Sequence, residues 1–200
     1  MSLANRCAVF IAAGCGASCA AFGTLVVGGW HSGVPRLASA FLPGPPTGYL
    51  TGVALLLAGV GLIAIVFGRP RLALPGGAFA TAVGLGAVAA RLLGVEADGF
   101  ASLFGHALRV ASADRESLGR VAALQLVLLG AGLIALARGR ASPRRAPIAA
   151  SLGAALATLG LASSFGHFTG MDSTTFWFRL TSVRLQTGIA FAIAGMGLLG

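Results

Sequence analysis

Apolar residues occur in six long runs, and the segments between them carry most of the charged residues and all eight prolines. A run of about 18 or more apolar residues is long enough to cross a bilayer as a helix. The runs therefore predict six membrane-spanning helices, at residues 7–29, 50–68, 77–94, 119–138, 148–167 and 182–200. They lack the alternation typical of membrane β-barrels, and the first is too long for the apolar core of a signal peptide.

Composition and proline positions both agree with this pattern. Hydrophobic residues make up 56% of the 200 residues and charged residues only 10%, whereas about a quarter of the residues of a soluble domain are charged. Proline inside a helix removes a backbone hydrogen bond, so its exclusion from the six runs supports their boundaries. The predicted fold is an all-α polytopic membrane protein, with residues 1–200 forming a single transmembrane domain.

One sequence pattern occurs three times, in the second half of the second, fourth and sixth runs. Each copy reads Gly-x-Gly-Leu, at residues 59–62, 130–133 and 195–198. Each of these runs also follows another run rich in small residues. We interpret the chain as three repeated helical hairpins, at approximately residues 7–71, 76–140 and 147–200. The glycines lie within the spans and not at a strand-to-helix turn, so they predict close helix packing and not phosphate binding.

Charge predicts the orientation of the helices. The net charge is +9, all 14 basic residues are arginines, and they lie singly or in pairs near the ends of the apolar runs. This arrangement is typical of topology signals and not of a nucleic-acid surface. One side holds seven arginines and no acidic residue: Arg6, Arg69, Arg71, Arg138, Arg140, Arg144 and Arg145. Its connecting segments are short, which predicts that this side and the N-terminus are cytoplasmic, in a bacterial inner membrane.

The opposite, outer side holds most of the residues with the chemistry to bind a ligand. They are His31, His106, His167, Glu96, Asp98 and Asp172, together with Trp30 and Trp177. If the three hairpins close around a pseudo-threefold axis, these side chains could converge on a pocket for a metal, a haem or a small polar ligand. The alternative is that the histidines are solvated at the headgroup level and the tryptophans belong to an interfacial aromatic belt. The metal and the cofactor stay unknown.

Within the spans, Gln125 is the strongly polar side chain. We expect its amide to hydrogen-bond to a neighbouring helix, with a ligand contact as the alternative. No nucleophile pairs with a base, and no ionisable residue lies at the centre of a span. These features predict that the chain is not an enzyme and argue against a proton or ion pathway. Cys7, Cys15 and Cys19 are interpreted as small apolar packing residues.

The stretch from Trp30 to Ile65 resembles the N-terminal membrane sensor modules of bacterial diguanylate cyclases and sensor histidine kinases. The resemblance rests on Trp30 at the end of the first span, on a Gly-x-Pro-x-Leu turn at Gly33, Pro35 and Leu37, and on the Leu42-Pro43 loop. Leu50-Thr51-Gly52 departs from the Asn-Thr-Ala of those modules. The segment 181–200 resembles their closing hairpin.

This resemblance implies stimulus sensing from the outer side or from lipid, with a cytoplasmic signalling domain following the last span as the output. The function predicted from the sequence is a non-enzymatic sensory or ligand-binding module embedded in the lipid bilayer. Two alternatives stay open. One is an accessory or structural subunit, in a homo-oligomer or a larger membrane complex, which would suit the small-residue spans. The other is a small transporter, since transporters also contain internal repeats.

Overall fold

The computed structural model describes residues 3–41, 46–94, 119–139, 145–168 and 184–200. These residues form seven α-helices and one 3-10 turn, Pro70–Leu72, and contain no strand. The helices are α1 (Leu3–Ser32), α2 (Pro35–Ala38), α3 (Tyr49–Val66), α4 (Ala73–Leu92), α5 (Arg120–Gly139), α6 (Arg145–Phe168) and α7 (Leu185–Leu199). Five of them are long and apolar enough to cross a membrane. The all-helical prediction is confirmed, while α7, at 15 residues, is shorter than the predicted sixth span.

Several helices begin earlier than the sequence predicts, and two of them, α4 and α6, have a proline in the first turn. Pro75 lies in the first turn of α4 and Pro147 in the first turn of α6. The first N–H groups of a helix have no partner within the helix, so proline is tolerated there. Pro75 and Pro147 therefore lie inside the helices, in the first turn, and not in the segments before them as the sequence analysis assumes. Phe100, Phe104 and Leu108 recur at helical spacing and predict a short interfacial helix within residues 95–118, a segment that lies outside the described residues.

The long helices pack most extensively with their neighbours in sequence: α1 with α3, α4 with α5, and α6 with α7. The second members of these pairs, α3, α5 and α7, also contact one another and lie at the centre. Their buried side chains form an apolar core that includes Leu55, Leu126 and Phe191, each fully buried. At the Trp30 end of the bundle, α1 ends and the three central helices begin. At the opposite Arg138 end, the central helices end.

Glycine sets the distance within each pair. One glycine of each central helix packs on the carbonyl oxygen of a glycine in the outer helix: Gly59 on Gly16, Gly130 on Gly77, and Gly195 on Gly153. A Cβ added to Gly195 would lie 2.6 Å from that oxygen and 2.5 Å from the backbone nitrogen of Ala157. These distances leave no room for a side chain, so the two backbones are in direct contact, as in small-residue packing of membrane helices.

The second glycine of each Gly-x-Gly-Leu segment faces a different helix. It contacts the leucine of another central helix: Gly61 lies near Leu133, Gly132 against Leu198, and Gly197 against Leu62. Two of these glycines also meet an outer helix, since Gly61 lies closest to Ala73 of α4 and Gly197 also touches Cys15 of α1. Each of these leucines is itself the last residue of a Gly-x-Gly-Leu segment and is at most 2% exposed. The three contacts therefore run from α3 to α5, from α5 to α7 and from α7 back to α3. We call this closed series the glycine–leucine ring.

Candidate functional site

The Trp30 end is organised by the way the chain leaves α1. Gly33 has a φ of +69°, a left-handed conformation that glycine adopts without steric cost. The backbone N–H of Val34 then donates to the carbonyl oxygen of Gly29 at 3.1 Å, which closes the helix end. Pro35 opens the short helix α2, which folds back on Gly29, where a Cβ would lie 2.9 Å from the Cα of Ala38.

Three hydrogen bonds then tie the segment before α3 to the rest of the bundle. The backbone N–H of Thr47 donates to the carbonyl oxygen of Ala38 at 2.9 Å. The indole Nε1 of Trp30 donates to the carbonyl oxygen of Thr47 at 2.7 Å. The hydroxyl oxygens of Thr47 and Thr187 lie 3.3 Å apart, with the two residues only 1% and 5% exposed. The last bond links the start of α3 to the first turn of α7.

The ring of Tyr49 packs against two of the residues singled out from the sequence. It meets the Trp30 ring edge to face, with centroids 6.4 Å apart, and the His31 ring in the same way at 5.7 Å. The Tyr49 hydroxyl also lies 3.3 Å from Nε2 of His31. Edge-to-face aromatic pairs of this kind are favourable beyond the area that they bury. We refer to Trp30, His31, Thr47, Tyr49 and Thr187 together as the Trp30 cluster.

The connection between α2 and α3 carries backbone strain beside this cluster. Ala40 and Phe41 have φ values of +50° and +63°, a region that residues with a Cβ rarely occupy. The Phe41 backbone N–H donates to the carbonyl oxygen of Arg36 at 2.8 Å, which helps to hold the conformation. Strain of this kind persists where surrounding contacts fix the backbone, and it is common at functional sites.

A cavity of about 320 Å³ opens between α1 and α7 next to this strained segment. Ala40 forms part of its lining, and Phe22 and Ile189 provide apolar surface from the two helices. Ser18 and Gln186 contribute the polar atoms, although the Ser18 hydroxyl already donates to the carbonyl oxygen of Gly14 at 2.9 Å. The cavity suits a small, mostly apolar molecule.

The structure unites only part of the predicted ligand site. Trp30 and His31 meet at Tyr49. His167 lies in the last turn of α6, and its side chain is outside the described part of the structure, as are His106, Glu96, Asp98, Asp172 and Trp177. Within the described ranges no three His, Cys, Asp or Glu side chains form a group that could hold a metal. The convergent outer pocket therefore stays a prediction.

Gln125 lacks the predicted hydrogen-bond partner among the described residues. The residue is completely buried in α5, and among the described residues neither its amide nitrogen nor its amide oxygen has a hydrogen-bond partner. The expected bond to a neighbouring helix is therefore not found. Positions 121, 122, 128, 129 and 132 lie on the same side of an α-helix as position 125, and all five hold Leu, Val, Ala or Gly. The local sequence supplies no polar group for the amide.

The contact between Thr47 and Thr187 is not predicted from the sequence. A threonine next to a helix start usually caps that helix, and nothing in the sequence indicates a distant partner. From the sequence, Tyr49 is one more aromatic residue of the interfacial belt, with no sign of a specific contact. The signal that could have found the cluster is the Gly33-Val34-Pro35 turn. It reverses the chain directly after Trp30 and so brings the segment before α3 back to the indole.

Replacing Trp30 with phenylalanine is expected to lower the free energy of unfolding by about 1 kcal/mol, since the Thr47 carbonyl loses its indole donor while an aromatic ring remains. Thermal unfolding in detergent micelles, followed by circular dichroism, measures this. The control is Phe41→Leu at an exposed aromatic position, with an expected change within about 0.5 kcal/mol. Equal stability of Trp30→Phe and wild type would show that the indole bond does not anchor the segment.

No family model, curated protein or solved structure matches this chain.

Proposed function

We propose that this chain is a non-enzymatic sensory module embedded in the bacterial inner membrane. Its three helical hairpins place the N-terminus and the Arg138 end in the cytoplasm and the Trp30 end outside. The span-length helices support the membrane location. The recurring glycine contacts within the three helix pairs support the hairpin repeat. The seven arginines in short segments support the orientation.

The observation that carries the proposal is the buried contact between the Thr47 and Thr187 hydroxyls. It connects the Trp30 cluster to α7, the last helix of the chain, and α7 also lines the cavity beside α1. An apolar molecule that enters this cavity contacts Ala40, which belongs to the strained connection, and Ile189 of α7 at once. Ligand binding at the Trp30 end would thereby shift the packing of α7, whose other end would pass the signal to a cytoplasmic domain.

A reporter fusion tests this mechanism. An output domain with a measurable activity is joined after Gly200, and the variant Thr187→Val removes the hydroxyl while preserving side-chain shape. We expect the output to change by about fivefold or more, the lower range of allosteric coupling. Thr158→Val is the matched control, because the Thr158 hydroxyl is exposed and bonds only to carbonyl oxygens of its own helix, at Ala154 and Ala155. Unchanged output from a folded Thr187→Val fusion contradicts the sensory mechanism.

A second candidate function is that of an accessory subunit in a larger membrane complex. The specific observation in its favour is the outward face of α1, where Gly14, Ala17, Ala21 and Gly28 are exposed. A Cβ added at Gly14 or Gly28 would meet nothing within 4 Å. Small residues at a helix surface permit close approach of another membrane helix. Stoichiometric co-purification of a partner from native membranes, lost on Gly14→Leu, would favour this function over the sensory one.

A further inference from the structure

A second cleft lies near the Arg138 end of the bundle, between α4, α5 and α6. It has a volume of about 340 Å³ and is broad and open to the surface. Its lining consists of Thr81, Ala131, Ile134, Ala135, Arg138 and Ile148. The cleft borders the contact between α4 and α5 at Gly130, because its lining residue Thr81 packs on that glycine. The sensory mechanism does not involve it.

The body of the cleft offers hydrocarbon and almost no free polar group. Ala131 and Ala135 lie one turn apart on α5 and leave a groove between the larger side chains of Ile134 and Ile148. Ile148 is 52% exposed, a large apolar surface at the rim of the groove. The one hydroxyl in the lining, that of Thr81, already donates to the carbonyl oxygen of Gly77 at 2.9 Å. An aliphatic chain is the ligand that matches such a surface.

The mouth of the cleft is positively charged. Arg138 lies in the last turn of α5 and is exposed. Arg69 and Arg71, also exposed, lie in the connection between α3 and α4 at the same end of the bundle. All five acidic residues of the chain fall outside the described ranges, so no described side chain neutralises these arginines. The sequence adds Arg140, Arg144 and Arg145 within seven residues of Arg138.

We propose that this cleft binds an anionic phospholipid, with one acyl chain in the groove along Ala131 and Ala135 and the phosphate against Arg138. Charge complementarity selects this occupant, because basic groups at the cytoplasmic edge of apolar clefts between membrane helices are suited to acidic lipid headgroups. The guanidinium group can donate two parallel hydrogen bonds to one phosphate. The proposal rests on the membrane location given in the proposed function. It adds a lipid specificity to the end opposite the sensory cavity.

The test uses the full chain purified in detergent and titrated with dioleoyl phosphatidylglycerol or dioleoyl phosphatidylcholine, with bound lipid counted by native mass spectrometry. We expect the anionic lipid to be retained about fivefold better than the zwitterionic one, and Arg138→Gln to remove that preference. Arg36→Gln, at an exposed arginine of the Trp30 end, is the matched control and should keep the preference. Ala135→Phe fills the groove and should reduce the binding of both lipids.

Several results would overturn the lipid site. The first is equal retention of the two lipids, and the second is an Arg138→Gln variant that keeps the preference for the anionic lipid. The third is displacement of the lipid by inorganic phosphate alone, because this would identify a free anion as the ligand. A mass corresponding to two chains that is lost in Ala135→Phe would assign the cleft to a second copy instead. Melting temperatures show whether each variant is folded. Protein that fails to insert into liposomes would refute the membrane location itself, whereas inserted protein without lipid preference refutes only the lipid site.

Discussion

Replacing Gly195 with valine should prevent α6 and α7 from packing and cost about 3 kcal/mol or more, at the upper end of the range for overpacked cores. The reason is geometric, since the first added carbon would already lie 2.6 Å from the carbonyl oxygen of Gly153 and 2.5 Å from the backbone nitrogen of Ala157. Backbone atoms held in two helices cannot move aside as the end of a flexible side chain can. The measurement is the fraction of folded protein and its melting temperature in detergent.

The matched control for Gly195→Val is Gly86→Val in α4. Gly86 is exposed, and a Cβ at this position would meet nothing within 4 Å. The same substitution there changes only helix propensity, so we expect a change in unfolding free energy within about 0.5 kcal/mol. Comparable losses at both positions would mean that valine harms these helices through propensity and that the close contact at Gly195 is not responsible.

The substitution Gln125→Leu is expected to raise the free energy of unfolding by about 2 kcal/mol. Leucine has nearly the volume of glutamine, and it replaces an amide that is fully buried and has no hydrogen-bond partner in the described structure. An unsatisfied buried amide costs its full desolvation energy, so removing it is stabilising. Chemical unfolding in mixed micelles, with the wild type measured in parallel, gives the difference.

Gln186→Leu serves as the counterpart, because Gln186 is equally buried in α7 but its side chain is engaged with a partner. That substitution is expected to destabilise the protein by about 1 kcal/mol. If Gln125→Leu instead destabilises the protein to a similar extent, the Gln125 amide is satisfied by a group beyond the described residues or by a bound molecule. The opposite signs of the two effects are therefore the decisive observation.

The helices themselves could be predicted from the sequence, because their length and apolar character depend on local composition alone. The role of glycine in packing could also be predicted. The sequence does not show that Gly59 and Gly61 contact different helices, because this depends on which helices become neighbours. Residues two apart lie on nearly opposite sides of a helix, and only the packed bundle shows that Gly59 faces α1 while Gly61 faces α4 and α5.

Polar contacts were the less predictable part of the candidate site. The Thr47 and Thr187 hydroxyls are 140 positions apart in sequence, and threonine carries no sequence signal for a distant partner. Gln125 is the converse case, a polar residue for which the described structure shows no partner. A polar residue in an apolar span suggests a hydrogen bond to a neighbouring helix. Whether that helix offers a donor or an acceptor at the right position depends on the sequence of the partner helix and on how the two helices pack.

Closure of the glycine–leucine ring also bears on how this architecture can grow. In an open stack of repeats, an additional unit extends the array at either end, and the terminal units need special caps. Here, within the described residues, the third central helix also contacts the first, so a fourth central helix would have to separate two helices that now touch. Insertion of another hairpin by gene duplication would have to break one of the three existing contacts. Growth of this bundle by a further helix pair therefore carries an energetic cost that growth of an open stack does not.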